Sequence, residues 1–146
     1  MFRKSTVIAA AVAALLGGAA LPAVAAPSSH SASAQVQAEP SVVDVTASNL
    51  EQVLEMSNRR PVVLNFTATW CPPCKQMKPY LQQYNTADKG TWVWARVDAD
   101  ANRAILTKYG VKYLPTLLNI RNGKEAGSRM VGYDGPQALR TWLNNL

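Results

Sequence analysis

The sequence predicts an α/β fold in which a central mixed β-sheet is flanked by helices on both faces. From Ser41 onward, strand-like runs alternate with helix-like stretches, and a strand–turn–strand hairpin precedes the last helix. The run 61–66 is almost continuously apolar and β-branched, which is typical of a strand that is covered on both faces. Together these observations favour helices packed against the two sides of one sheet.

The first half of this domain is predicted to hold two strands and two helices. The elements are strand 42–45, a helix after Ser48, strand 61–66 and a helix from Cys71 onward. Ser48 with Glu51 forms a Ser-x-x-Glu capping box, which predicts the start of the first helix. Pro79 inside the second helix predicts a kink there.

The second half is predicted to complete the sheet and to end in a helix. The elements are strand 92–97, helix 102–109, strand 116–120, strand 125–131 and helix 136–145. Gly110 is the expected C-terminal cap of the first of these helices. Asn122-Gly123 is a hairpin signal, and Pro136 suits the first position of the last helix, which we expect to bury Leu139, Trp142 and Leu143.

The N-terminal 25 residues have the pattern of a cleaved secretory signal peptide. Basic Arg3 and Lys4 precede an apolar run over residues 7–21, and Ala23-Val24-Ala25 is a small-residue cleavage pattern. The apolar run is shorter than the roughly 20 residues that a membrane span needs. We therefore expect a signal peptide over 1–25, a disordered linker over 26–40, one domain over 41–146, and an exported, periplasmic or extracellular, protein.

The chain contains only two cysteines, and they form one Cys-x-x-Cys motif, Cys71-Pro72-Pro73-Cys74. A structural zinc site takes about four Cys or His ligands, and the chain adds only His30, so a metal site is not expected. A disulfide that closes so short a loop would also stabilise the fold little. The pattern therefore indicates thiol–disulfide exchange, with the cysteine pair itself as the redox group and no other cofactor.

The position of the motif suggests a role for each of its residues. Cys71 would stand at the start of a helix, where unpaired N–H groups and the helix dipole stabilise a thiolate, so it is the expected attacking sulfur. Cys74 is the expected resolving cysteine. Pro72 and Pro73 suit a helix start and stiffen the loop. Trp70 is expected to be a partly exposed contact for substrate, with ordinary core packing as the alternative.

Several motifs together resemble the thioredoxin family. Residues 62–75 resemble its active-site strand and loop, and Pro79 matches its helix-kinking proline. Residues 108–116, which contain Leu114-Pro115-Thr116, resemble its second signature. Residues 122–124 and Gly132 match its hairpin turn and the glycine beside its substrate groove. The resemblance covers about residues 42–146 and implies the thioredoxin fold.

The resemblance also implies how a substrate would bind. In the family the proline matching Pro115 is cis and packs beside the disulfide, and the residue before it, here Leu114, offers backbone hydrogen bonds to an extended substrate segment. Trp70, Leu114 and Gly132 would frame the groove. The 115 − 71 = 44 positions between Cys71 and Pro115 are like those of a plain thioredoxin.

Two positions depart from the family pattern. Asn65 stands where the family usually has a buried aspartate that helps to deprotonate the resolving cysteine, and Arg96 stands where it usually has a lysine. An amide cannot accept and return a proton, and it removes a negative charge that would disfavour the thiolate. We therefore expect a pair that is more oxidising than that of a cytosolic thioredoxin.

The expected function is an exported thiol–disulfide oxidoreductase that acts on extended segments of proteins. We expect a monomeric reductase supplied with electrons by a membrane thiol relay of the DsbD type. The alternatives are a disulfide oxidase or isomerase, and a non-catalytic peptide-binding module. The net charge is +6, and the basic residues that produce it are scattered along the chain. It therefore gives no indication of a nucleic-acid partner.

Overall fold

The computed structural model describes residues 40–146 and, before them, Gly18 alone. The predicted signal peptide and linker therefore lie, apart from Gly18 and Pro40, outside the described residues. The strands are β1 (Val42–Val45), β2 (Val62–Thr67), β3 (Val93–Asp98), β4 (Thr116–Arg121) and β5 (Lys124–Val131). The helices are α1 (Leu50–Met56), α2 (Pro72–Ala87), α3 (Arg103–Tyr109) and α4 (Pro136–Leu143). Among the described helices, none is long and apolar enough to cross a membrane.

The five strands form one mixed sheet in the order β1-β3-β2-β4-β5. Strand β3 pairs in parallel with β1 and β2, whereas β4 is antiparallel to both β2 and β5. The predicted mixed sheet and the order of elements along the chain are confirmed. Strand β2 lies at the centre, where its residues 62–66 are all buried, as its apolar run predicts.

The helices cover the two faces of the sheet in pairs. One core packs Leu50 of α1 and Ile105 of α3 against the sheet. The other core packs Met77 of α2 and Leu139 of α4 against the opposite face. The prediction of helices on both faces is therefore confirmed. Because α2 begins soon after β2 ends, the start of α2 lies at the C-terminal end of β2.

The start of α1 differs from the sequence prediction. Asn49, not Ser48, is the N-cap, and no side-chain capping bond is present, so the predicted capping box is wrong. The side chain of Asn49 bonds backward instead, to Thr46 N at 2.8 Å and to Asp44 O at 2.8 Å. The Ser48 hydroxyl lies 2.8 Å from that of Thr46, so it is turned toward the loop rather than the helix.

The end of α1 is joined to the distant β4–β5 turn through Ser57. This residue is buried, with 2 % of its surface exposed, and its hydroxyl accepts a hydrogen bond from Gly123 N at 2.7 Å. Its carbonyl oxygen accepts a second bond from Asn122 N at 3.0 Å. The turn of the hairpin is therefore fixed to the C-terminal end of α1.

Two further expectations concern helix residues. Pro79 lies inside α2, which continues to Ala87, and the kink that Pro79 predicts stays a prediction. In α4, Leu139 and Leu143 are buried as predicted, whereas Trp142 is half-buried. The Trp142 indole N–H donates to Ser128 O on β5, at 2.8 Å.

Candidate redox site

Cys71 and Cys74 form a disulfide at the N-terminal end of α2, with Cα atoms 5.3 Å apart. Only 3 % of Cys71 and 5 % of Cys74 is exposed, and both pack against Ala68 and Leu114. The site stands where β2 ends and α2 begins. Among the described residues no other cysteine is present.

The two prolines determine which backbone group faces the Cys71 sulfur. Cys71 is the N-cap of α2, and Pro72 and Pro73 occupy the first two helical positions, where they supply no N–H. The first N–H of the helix therefore belongs to Cys74, and it points at Cys71 Sγ from 3.3 Å. This bond and the helix dipole would stabilise negative charge on that sulfur in the reduced pair.

An open cleft runs past Cys71 on one side of the disulfide, and we call it the Trp70 cleft. Its volume is about 450 Å³. It is lined by Trp70, Cys71, Pro72, Pro73, Ala99, Asp100, Arg103, Leu106, Val111, Lys112, Tyr113 and Leu114. The Trp70 ring is 63 % exposed, but its indole N–H donates to Asp100 Oδ2 at 2.8 Å, which fixes the ring at the edge of the cleft.

The loop before β4 supplies the opposite wall of the site. The Leu114–Pro115 peptide bond is cis, as the resemblance implies. Thr116 supports this loop by donating its hydroxyl to Tyr113 O at 2.6 Å. Gly132 N donates to Pro115 O at 2.8 Å, so Gly132 lies beside the proline, although it does not line the Trp70 cleft. Its φ of +83° is a conformation that favours glycine.

A second opening lies on the other side of the disulfide, and we call it the Cys74 cavity. Its volume is about 350 Å³. It is lined by Asp44, Asn65, Thr67, Ala68, Thr69, Cys74, Lys75, Lys78, Trp94, Arg96 and Asp98. The two predicted supporting residues, Asn65 and Arg96, are therefore brought together with Cys74.

Asn65 and Arg96 are paired across β2 and β3, but their side chains have different partners. Asn65 Oδ1 accepts the indole N–H of Trp94 at 3.1 Å inside the core. The Arg96 guanidinium binds both carboxylate oxygens of Asp44, at 2.7 and 2.8 Å, and lies 5.4 Å from the centre of the Trp94 ring. Because the Asp44 carboxylate offsets the charge of the guanidinium, Arg96 adds little net positive charge to the Cys74 cavity.

Burial raises the pKa of Tyr133, beside Gly132, above its ordinary value, and the nearby Tyr80 and Tyr84 raise it further. The Tyr133 hydroxyl is buried without a hydrogen-bond partner among the described residues. This phenol therefore stays neutral at neutral pH.

Sequence reasoning missed three residues at the site: Asp100, Tyr113 and Trp94. Asp100 anchors Trp70, Tyr113 is 70 % exposed at the rim of the Trp70 cleft, and Trp94 holds Asn65. An aromatic residue directly before Leu114-Pro115 was a usable signal for Tyr113. The other two depend on which strands become neighbours, which local patterns do not reveal.

Comparison with known proteins agrees with this geometry. The sequence model of the family described as Thioredoxin matches residues 41–145, almost the whole described domain. The chain belongs to the thioredoxin family. Family membership agrees with the five-stranded mixed sheet, the cis proline and the disulfide at the start of α2.

Individual thioredoxins show how far the similarity extends. Thioredoxin-1 of Caenorhabditis elegans is 36% identical over 76 residues, which cover 52% of this chain and 65% of that protein. Thioredoxin of Rickettsia bellii is 28% identical over 102 residues, or 70% of this chain and 95% of that protein. The crystal structure of thioredoxin from Trypanosoma brucei brucei matches with a TM-score of 0.62 and 36% identity, covering 73% of this chain and 90% of that one.

Membership of the thioredoxin family makes the chain a thioredoxin-like protein disulfide oxidoreductase. Its redox pair is the Cys71–Cys74 disulfide. A disulfide of this kind accepts two electrons from a thiol partner or, once reduced, passes them to another disulfide.

Proposed function

We propose that this protein is an exported thioredoxin-like reductase of protein disulfides, with Cys71 as the attacking and Cys74 as the resolving cysteine. The observation that carries the proposal is the position of Cys71 at the N-cap of α2, facing the first N–H of the helix and opening onto the Trp70 cleft. Reduced Cys71 is then the sulfur whose thiolate is stabilised by the helix and which borders the Trp70 cleft.

The reaction has two exchange steps. The Cys71 thiolate attacks a substrate disulfide, so that a Cys71–substrate bond forms and the electron pair leaves on the other substrate sulfur, which takes a proton from water. The Cys74 thiolate then attacks Cys71: the Cys71–Cys74 bond forms, and the second substrate sulfur leaves and is protonated. The substrate gains two electrons, and the enzyme pair is oxidised.

The proposed substrate is an extended segment of protein that lies along the Trp70 cleft. Trp70, Pro72, Pro73 and Leu114 line the cleft beside Cys71, and they offer apolar surface to a bound chain. Buried Pro115, bonded to Gly132, supports the loop that carries Leu114, whose backbone would pair with the segment as a strand does. Strand-like pairing contacts the backbone of the bound segment, so it accepts segments of many different sequences.

The proposed setting is the periplasm or the cell exterior. The pattern of residues 1–25 supports export by a cleaved signal peptide, the composition of 26–40 supports a linker, and 41–146 forms the redox domain. A reductase in an oxidising compartment needs a source of electrons, and a membrane thiol relay of the DsbD type would supply them to a monomer of this chain.

A disulfide oxidase is the second candidate, and Asn65 is the observation that favours it. Its side chain is neutral and bonded to Trp94, so it brings no negative charge close to the cysteines. A stabilised reduced pair makes a disulfide a stronger oxidant. The same neutrality supports a redox potential above that of cytosolic thioredoxin.

The redox potential is the first testable expectation. When the purified domain is equilibrated with glutathione buffers, its Cys71–Cys74 pair should have a potential above the roughly −270 mV of thioredoxin. The fraction of reduced protein is measured by alkylation and mass spectrometry. The Asn65→Asp variant is the matched comparison and should have the lower potential, because its carboxylate disfavours the thiolate. A wild-type potential at or below about −270 mV contradicts the expectation.

A trapping experiment tests whether the protein acts by disulfide exchange through Cys71. With Cys74→Ala, the mixed disulfide that Cys71 forms cannot be resolved, so we expect covalent adducts with disulfide-containing proteins of the exported fraction. The adducts are measured on non-reducing gels and identified by mass spectrometry after reduction. The Cys71→Ser/Cys74→Ala double variant is the control and should give none.

Two outcomes would reject the reductase proposal. Absence of adducts from Cys74→Ala would contradict catalysis by exchange. Peptide binding that is equally strong in wild type and in the double variant, without adducts, would instead indicate a non-catalytic binding module.

A further inference from the structure

We propose that Trp94 is a positioning residue for disulfide exchange: it fixes the Asn65 amide so that the amide donates hydrogen bonds toward Cys74 and stabilises the Cys74 thiolate. The inference deepens the proposed function and rests on it, because Cys74 is there the resolving cysteine. It gives Asn65 a role other than that of a proton acceptor.

The orientation of the Asn65 amide follows from its partner. An indole N–H only donates, so the Asn65 atom 3.1 Å from Trp94 Nε1 is the oxygen Oδ1. The opposite orientation would place two donors against each other inside the core. Asn65 is 4 % and Trp94 2 % exposed, so neither side chain has room to turn away. The Asn65 amino group therefore points away from the indole.

The amino group remains available toward the Cys74 cavity. Within residues 40–146, Asn65 Nδ2 has no hydrogen-bond partner and is not among the buried unpaired atoms, so it retains access to solvent. The Cys74 cavity, lined by both Asn65 and Cys74, provides that access. A cavity of about 350 Å³ also has room for several waters, each of which needs about 30 Å³. The amide can therefore reach a thiolate directly or through a bridging water.

Trp94 is itself held by its neighbours. The Arg96 guanidinium lies over its ring at 5.4 Å and is fixed in turn by Asp44 of β1. The ionisable groups that face the cavity from α2 and from the strands are Asp44, Lys75, Lys78, Arg96 and Asp98. Since Arg96 is paired with Asp44, the two lysines of α2 are the cations that add to the effect of the amide, and Asp98 opposes it.

The amide assists the second exchange step of the proposed reaction. The Cys74 thiol gives its proton to water, and the thiolate attacks Cys71 of the mixed disulfide. A donor aimed at Cys74 lowers its pKa and so increases the thiolate fraction. The nucleophilicity of the thiolate falls less steeply than its pKa, with a Brønsted coefficient of about 0.4–0.5. At a pH below that pKa, the gain in thiolate fraction therefore outweighs the loss of nucleophilicity, and the mixed disulfide is resolved faster. No general base is needed in the protein.

The test measures the titration of Cys74 alone, in the full chain carrying Cys71→Ser. The ultraviolet absorbance of the thiolate is followed against pH, with Cys71→Ser/Cys74→Ser subtracted to remove the tyrosine signal. Adding Trp94→Phe should raise the midpoint for Cys74 by about one pH unit, because the amide loses its fixed orientation. Adding Asn65→Ala should raise it by a similar amount.

Trp92→Phe is the matched control. Trp92 is equally buried in the same core, at 2 %, and its indole N–H also donates a single hydrogen bond, to Asp88 Oδ2 at 2.8 Å. It does not line the Cys74 cavity. Trp92→Phe should therefore also cost an indole hydrogen bond, in this case one to a carboxylate, and leave the Cys74 midpoint in place.

A double-mutant cycle separates positioning from a general structural effect. In the Asn65→Ala background, Trp94→Phe should produce no further shift, because the group that it orients is absent. A shift that persists there, or equal midpoints for Trp94→Phe and Trp92→Phe, would overturn the proposal. If Trp94→Phe does not fold, Asn65→Ala decides, since an unchanged midpoint in that variant also overturns it. Failure of the proposed function would appear separately, as missing adducts in the Cys74→Ala trap.

Discussion

Replacing Cys71 by serine should reduce disulfide exchange to the uncatalysed background, a loss on the order of 10³-fold or more. Cys71 is the sulfur that faces the first N–H of α2 and borders the Trp70 cleft, whereas a serine hydroxyl ionises far too weakly to attack a disulfide. The reduction of insulin disulfides by dithiothreitol, followed as turbidity, measures the effect.

The control for this substitution is Ser57→Ala, which removes a buried hydroxyl at the β4–β5 turn, at the opposite end of β2 and β4 from the cysteines. It should lower the stability of the fold by about 1–3 kcal/mol, because Gly123 N loses its acceptor, while exchange at a permissive temperature continues. Exchange by Cys71→Ser at a rate close to that of wild type would contradict the assignment of the attacking cysteine.

Replacing Phe66 by alanine should lower the free energy of unfolding by about 3–5 kcal/mol. Phe66 is completely buried in β2, and its ring centre lies 6.1 Å from that of Tyr109 on α3. The truncation would leave a void between the central strand and this helix. Urea unfolding followed by circular dichroism gives the midpoint and the slope, from which the loss is calculated.

Val42→Ala is the matched control for Phe66→Ala, since it also shortens an apolar strand residue. Val42 lies on the edge strand β1 and is 38 % exposed, so its truncation should cost well under about 1 kcal/mol. Equal losses for the two variants would show that burial in β2 does not determine the stability of this sheet.

Sequence patterns predicted the architecture well because it depends on burial. The apolar run of β2 requires cover on both faces, and the structure supplies it with α1 and α3 on one side and α2 and α4 on the other. Turn signals at Gly110 and Asn122-Gly123 also matched, since those positions take positive φ angles. Predicted strand ends differ from the observed ones by about one residue, which is the ordinary uncertainty of such boundaries.

Side-chain partners were less accessible to prediction because they depend on contacts between distant segments. The capping box predicted at Ser48 is wrong because Asn49 is the N-cap, and the Asn49 side chain bonds to Thr46 N and Asp44 O at the end of β1. The polar residue inside β2, Asn65, obtained its partner from Trp94, and Arg96 obtained its partner from Asp44. Both pairings require knowing that β3 lies between β1 and β2.

The attachment of the β4–β5 turn to α1 affects how the protein can be engineered. An exposed Asn122-Gly123 tip would ordinarily be a first choice for inserting an epitope or a fluorescent label. Here both of its N–H groups are bound to Ser57, so an insertion would break two hydrogen bonds and detach the hairpin from the helix. The same hairpin carries Gly132 at its other end, bonded to Pro115 beside the disulfide. Tags are therefore better placed elsewhere than at this turn.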